Sequence, residues 1–169
     1  MIGMGIFKNL FGKKEEVKEV ELVAPLTGMA TQLENVDDPV FAQKMMGDGL
    51  AIEPSEGVVV APVDGEIIQV FPTKHAVGIK AENGAEILIH IGLETVGMKG
   101  EGFTAHVMEG DKIRKGDKLV TFDMSMVTEK AKSTVTPLII TNSDAMEVEV
   151  LASGNVERGT TPFLKVTAK

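Results

Sequence analysis

Residues Gly65–Ile91 read GEIIQVFPTKHAVGIKAENGAEILIHI, three short runs rich in Ile and Val cut by Pro72 and by Asn83-Gly84. Runs of this length, bounded by turn formers, are strand signals. Candidate strands therefore cover Gly65 to Phe71, Ala76 to Ala81 and Glu86 to Ile91. The rhythm continues outward in both directions, over Val20 to Ala24, Gly28 to Glu34, Gly49 to Glu53 and Gly57 to Val60, then Phe103 to Val107, Lys118 to Asp123, Leu138 to Thr141, Glu147 to Leu151 and Phe163 to Thr167. Many short strands and few helices predict an all-β fold, a sandwich or a closed barrel. Two interruptions carry helical spacing, Pro39 to Met46 and Ser125 to Ala131.

An internal echo sharpens the architecture. Val23-Ala24-Pro25-Leu26-Thr27-Gly28 returns as Val60-Ala61-Pro62-Val63-Asp64-Gly65. Each phrase leads an apolar pair into a Pro suited to a strand edge, and a Gly then lets the chain bend into the next strand. Two related hairpin units are expected. Glu109 to Val120 places Gly110-Asp111 and Gly116-Asp117 at tight corners. That phrase resembles the hammerhead corner of biotinyl and lipoyl carrier domains, so the fold expected is a barrel-sandwich hybrid.

A chain of 169 residues fits one domain with a substantial core. The expected organisation is a domain over 20–169 behind an N-terminal segment, residues 1–19. The absence of Cys excludes disulfides and thiolate chemistry and fits a reducing cytoplasm. With no Trp or Tyr and a formal charge of -8, the chain lacks stacking platforms and repels a phosphate backbone, so nucleic-acid binding is not expected. An acidic surface favours basic protein partners. No apolar run is long enough to span a bilayer. Ile2, Ile6, Phe7, Leu10 and Phe11 recur at helical spacing beside Lys8, Lys13 and Lys14, describing a short amphipathic segment able to lie on the inner face of a membrane.

The chain has three histidines, and His75 and His90 interrupt apolar stretches where an imidazole needs a partner. By strand alternation Phe71, Thr73 and His75 share one face, and Leu88, His90 and Gly92 share another. If those faces meet, the rings form a metal, acid/base or phosphate site. Catalytic zinc needs three protein ligands. Related barrel-sandwich peptidases place an Asp four residues after the first His and a second His two after another, but Ile79 and Gly92 stand there. A zinc ion on His75 and His90 would thus need a further ligand from a partner protein. Gln43-Lys44-Met45-Met46 matches a carrier-lysine hairpin poorly and leaves both histidines unexplained. Phosphoryl transfer through a histidine nucleophile needs no cofactor, because a neutral imidazole nitrogen can take the group while its neighbour donates a hydrogen bond. The residues alone leave this reading open beside two structural histidines. His106, near Glu109 and Asp111, reads as surface, and Lys130 to Pro137 as helix end and turn.

The phrases Asp48 to Ile52, Thr73-Lys74-His75-Ala76, His90 to Val96, Lys99 to Phe103 and Lys130 to Pro137, together with both echo phrases, resemble the glucose-type enzyme IIA of the bacterial phosphoenolpyruvate-dependent sugar phosphotransferase system. The resemblance implies that His90 is phosphorylated through Nε2, that His75 helps pass the group onward, and that the Thr73 hydroxyl orients His75. It implies HPr as donor and a cysteine of a sugar-specific enzyme IIB as acceptor. It also implies an apolar partner-binding rim of Val40, Phe41, Met45, Met46, Phe71, Leu88 and Val96, with Gly78 a departure from the larger residue often found there. A rim of this kind also fits a phosphorylation-switched binding protein with regulatory protein targets.

Overall fold

The computed structural model describes residues 17–169. The apolar residues of the amphipathic N-terminal segment all lie outside the described residues. In chain order the strands are β1 (Glu19–Val23), β2 (Gly28–Thr31), β3 (Asp48–Pro54), β4 (Val58–Val60), β5 (Gly65–Val70), β6 (Ala76–Ala81), β7 (Glu86–His90), β8 (Phe103–Ala105), β9 (Lys112–Ile113), β10 (Lys118–Phe122), β11 (Thr136–Ile140), β12 (Met146–Val150), β13 (Gly154–Val156) and β14 (Pro162–Ala168). They pair antiparallel throughout, in an eight-stranded sheet ordered β9-β5-β6-β7-β11-β3-β2-β13 and two three-stranded sheets, β4-β10-β8 and β12-β14-β1. The all-β expectation holds, and the architecture is a β-sandwich with no closed barrel among the described residues.

One large core lies between the sheets, where Leu22, Leu26, Ile52, Ile67, Ile79, Ile89, Phe163 and Leu164 are buried. A second, smaller cluster covers the outer face of the large sheet and contains Leu33, Val36, Phe41, Ala76, Leu88, Leu93, Val135 and Ile139. Period-two alternation explains both. Ile87 and Ile89 of β7 belong to the inner core while Leu88 belongs to the outer cluster, so the strand is apolar on both faces.

The echo phrases lie against each other as a pseudo-twofold pair. The Val23 amide donates to the Pro62 carbonyl and the Val60 amide to the Pro25 carbonyl, each at 2.9 Å. Outward from that crossing, the Gly159 amide donates to the Ala24 carbonyl at 2.9 Å as the Gly116 amide does to the Ala61 carbonyl at 2.8 Å. The side-chain bonds repeat as well, with Arg158 N–H on Thr27 Oγ1 and Lys115 N–H on Asp64 Oδ1.

Several boundaries differ from the sequence reading. β2 stops at Thr31, and Leu33–Asn35 form a 3-10 turn that buries Leu33. The expected helix Pro39 to Met46 is one turn, α1 (Pro39–Ala42), followed at Lys44 by a left-handed backbone of φ 56°. The second helix, α2 (Met124–Lys130), starts one residue early because the Asp123 side chain caps it through the Met126 amide at 3.0 Å. β11 begins at Thr136 and includes Pro137, tolerated because pairing with β7 starts only at Leu138.

Candidate functional site

The site sits on the outer face of the large sheet where β6 and β7 run side by side. Ala76 pairs with His90 and Gly78 with Leu88, so alternation places Leu88 and His90 on one face as expected. His75 arrives differently. It stands in the corner before β6, where a turn from the Phe71 carbonyl to the Lys74 amide at 2.7 Å and a left-handed Lys74 of φ 61° reverse the chain. Strand alternation over Phe71, Thr73 and His75 is therefore corrected to a hairpin corner. The Ile91 amide, bonded to the His75 carbonyl at 2.7 Å, anchors that corner beside His90.

Four rings stand in a row. Phe71 and His75 have centroids 5.5 Å apart, His75 and His90 4.9 Å, and His90 and Phe41 5.0 Å. The two imidazoles meet edge to face at 82°. Hydrogen bonds settle how each ring is used. His90 Nδ1 lies 2.8 Å from the carbonyl oxygen of Gly92. A carbonyl only accepts, so Nδ1 carries the proton and the lone pair of neutral His90 sits on Nε2. Thr73 Oγ1 lies 2.5 Å from His75 Nδ1. With the hydroxyl as donor, His75 keeps its ring proton on Nε2 and offers it while uncharged.

Electrostatics hold both rings neutral. Burial, and then the neighbouring His90, push His75 down from 6.5 to about 4. Burial also lowers His90, opposed by its bond to the Gly92 carbonyl and by the Asp38 carboxylate. An acceptor lone pair on Nε2 beside an uncharged N–H donor can receive a phosphoryl group and stabilise its oxygens.

Beside His90 lies a shallow depression of about 340 Å³, lined by Val40, Phe41, Met46, Phe71, Leu88 and Val96 with Asp38 and Glu94 at its edge. Residues 20–146 match the model of the family described as phosphoenolpyruvate-dependent sugar phosphotransferase system, EIIA 1. The chain belongs to this EIIA family. It is similar to the PTS system glucose-specific EIIA component of Bacillus anthracis, 58% identical over 97% of this chain and 100% of that one. The protein of the same description from Halalkalibacterium halodurans is 58% identical over 95% and 98%. Among solved structures, glucose permease IIA from Mycoplasma capricolum superposes with a TM-score of 0.83 at 39% identity, covering 90% of this chain and 99% of that one. This EIIA chain is thus a phosphotransferase component of the sugar phosphotransferase system.

The rim expected from sequence divides in two. Val40, Met45, Met46 and Val96 are exposed, and Phe71 is half-buried. Phe41 and Leu88 are buried in the outer cluster and support the surface from below. At Gly78 a β-bulge between Ile67 and Gln69 turns Ile68 outward, and a Cβ on Gly78 would come within 3.3 Å of Ile68 Cγ1. His106 is on the surface and bonds Thr121 Oγ1 through Nε2 at 2.9 Å. Sequence reasoning assigned no role to the Gly92 carbonyl or to Asp38. A glycine two residues beyond a candidate histidine was the signal for the first, and an Asp-Pro helix start for the second.

Proposed function

We propose that His90 Nε2 accepts the phosphoryl group from the phosphohistidine of HPr and that the chain passes it to a cysteine of a sugar-specific enzyme IIB. The observation that carries the reading is the Nδ1–H bond to the Gly92 carbonyl, which leaves Nε2 of a half-buried, neutral ring as the reacting nitrogen. In the first step the Nε2 lone pair forms a P–N bond as the donor's P–N bond breaks, and the donor ring takes back its electron pair. In the second, the thiolate forms a P–S bond while the P–Nε2 pair returns to His90. His75, held by Thr73, donates its Nε2–H to the phosphoryl oxygens in the second step, as the group leaves His90 for the thiolate. Val40, Met45, Met46, Phe71 and Val96 exclude water around the labile bond, and Asp38 and Glu94 favour a basic partner. The names of the relatives support glucose as the sugar served, and a chain without Cys fits action in the reducing cytoplasm beside the membrane partner.

A zinc ion belongs to the same proposal only within a complex. His90 Nε2 offers one donor as it stands and His75 Nε2 would offer a second once its proton moves to Nδ1, which would then donate to Thr73 Oγ1; no cluster of three His, Cys, Asp or Glu exists among the described residues, so a partner would complete the set. Among the described residues no helix is long and apolar enough to cross a membrane.

Incubation with phosphoenolpyruvate, enzyme I and HPr tests the reading. It should yield an acid-labile, base-stable phosphoprotein, with His90→Ala unlabelled and His75→Gln labelled but unable to pass the group on. Full labelling of His90→Ala overturns the assignment.

A further inference from the structure

Among the described residues three polar side chains are buried, His75, Thr95 and Thr136, and all three lie around the loop that follows β7. The mechanism uses the histidine and leaves the threonines without a role. A buried hydroxyl is costly unless it is bonded, so two threonines at positions a valine would fill must be placed there by their bonds. Thr95 Oγ1 donates to the Ile91 carbonyl at 2.6 Å. Thr136 Oγ1 accepts the Gly92 amide at 3.4 Å and gives its own proton to the Thr134 carbonyl at 3.0 Å. These bonds hold both ends of a single peptide group, Ile91–Gly92.

The neighbouring peptide is fixed just as closely. Gly92 has φ +74°, and a Cβ there would lie 2.6 Å from Thr95 Cγ2 and 2.8 Å from the Ser133 carbonyl oxygen. Its carbonyl accepts His90 Nδ1–H, and the amide at the other end of that peptide, Leu93 N–H, donates to the Ser133 carbonyl at 2.9 Å. The two buried hydroxyls thus fix the peptide before the Gly92 carbonyl and Ser133 fixes the far end of its own, and together they set where that carbonyl points.

We propose that Thr95 and Thr136 are positioning residues, clamping the Ile91–Gly92 peptide so that the Gly92 carbonyl selects the Nδ1–H tautomer of His90 and leaves Nε2 free to react. The consequence for rate rests on the proposed function; the tautomer is a property of the resting protein. With the clamp released, only the Leu93 end is held by Ser133, the carbonyl no longer stays aligned on Nδ1, and both tautomers of neutral His90 are populated.

Nitrogen-15 NMR of the histidine-labelled, unphosphorylated full chain near neutral pH reads which ring nitrogen bears the proton. The wild type should show Nδ1–H alone at His90. Thr136→Val and Thr95→Val should show a mixture and be phosphorylated by phospho-HPr roughly tenfold more slowly or worse, and Thr136→Ser should restore both. A single Nδ1–H tautomer and the wild-type rate in both valine variants overturn the proposal, as does a lowered melting temperature with an unchanged tautomer. Should the valine variants fail to fold, hydrogen exchange at the Gly92 amide of the wild type decides: protection supports the clamp and fast exchange contradicts it. If the wild type shows Nδ1–H but HPr does not phosphorylate His90, the proposed function fails and the clamp stands.

Discussion

Acidifying the protein should expose the energetic cost of keeping His75 neutral. The ring is 3% exposed and is pushed from 6.5 to about 4, first by burial and then by His90. Between those values an unfolded chain binds a proton that the folded chain excludes. Stability therefore falls as pH drops below 6.5 and levels off, for this group, below about 4. At about 1.4 kcal/mol per pH unit the loss reaches about 3 kcal/mol, a large share of the 5–15 kcal/mol of a typical domain. His75→Gln cannot titrate, while its side chain still reaches polar partners. Urea unfolding of both proteins at several pH values isolates the effect, because carboxylates and His90 titrate in each and cancel in the difference. The wild type should lose about 2–3 kcal/mol more than His75→Gln between neutral pH and the acid end of that window. Parallel pH profiles for the two proteins would refute the reasoning.

Other perturbations probe the supports of the site. Lys74 holds a left-handed backbone between Thr73 and His75; Lys74→Gly should change stability by no more than about 1 kcal/mol, and Lys74→Val should lower it by about 1–2 kcal/mol in thermal melts. Gly92→Ala forces a Cβ against Thr95 and the Ser133 carbonyl and should cost about 2–3 kcal/mol while slowing phosphorylation, measured by unfolding and rapid-quench labelling. Val96 is 59% exposed and lines the depression beside His90, so Val96→Lys should alter stability by no more than about 0.5 kcal/mol yet slow transfer from HPr, which quench-flow labelling at low salt would register.

Much of this was legible because the relevant physics is local. Alternation in Glu86 to His90 put Leu88 and His90 on one face, and the paired strands agree, with Ile87 and Ile89 turned into the inner core. The echo phrases announced two related corners, which face each other across a pseudo-twofold crossing. His75 was found by residue type but placed by the wrong rule, since a left-handed Lys74 has no signal that distinguishes it from an ordinary strand lysine. Strands β9 and β13, of two and three residues, were missed because pairing with distant β5 and β2, rather than their own pattern, makes them strands. Thr95 and Thr136 stayed silent for a related reason: their spacing of 41 positions becomes a single clamp only after β7 and β11 pair. Exposure divided the rim residues, and no pattern in the chain separates a supporting Phe41 from a presented Met45.

The central claim concerns one nitrogen atom. Phosphorylating the nitrogen-15 histidine-labelled chain with phosphoenolpyruvate, enzyme I and HPr, then recording phosphorus-31 to nitrogen-15 coupling, identifies the atom that carries phosphorus. The expected result is a single P–N bond to Nε2 of His90, with Nδ1 still protonated against the Gly92 carbonyl. Phosphorus on Nδ1 of His90, or on His75, would contradict the account.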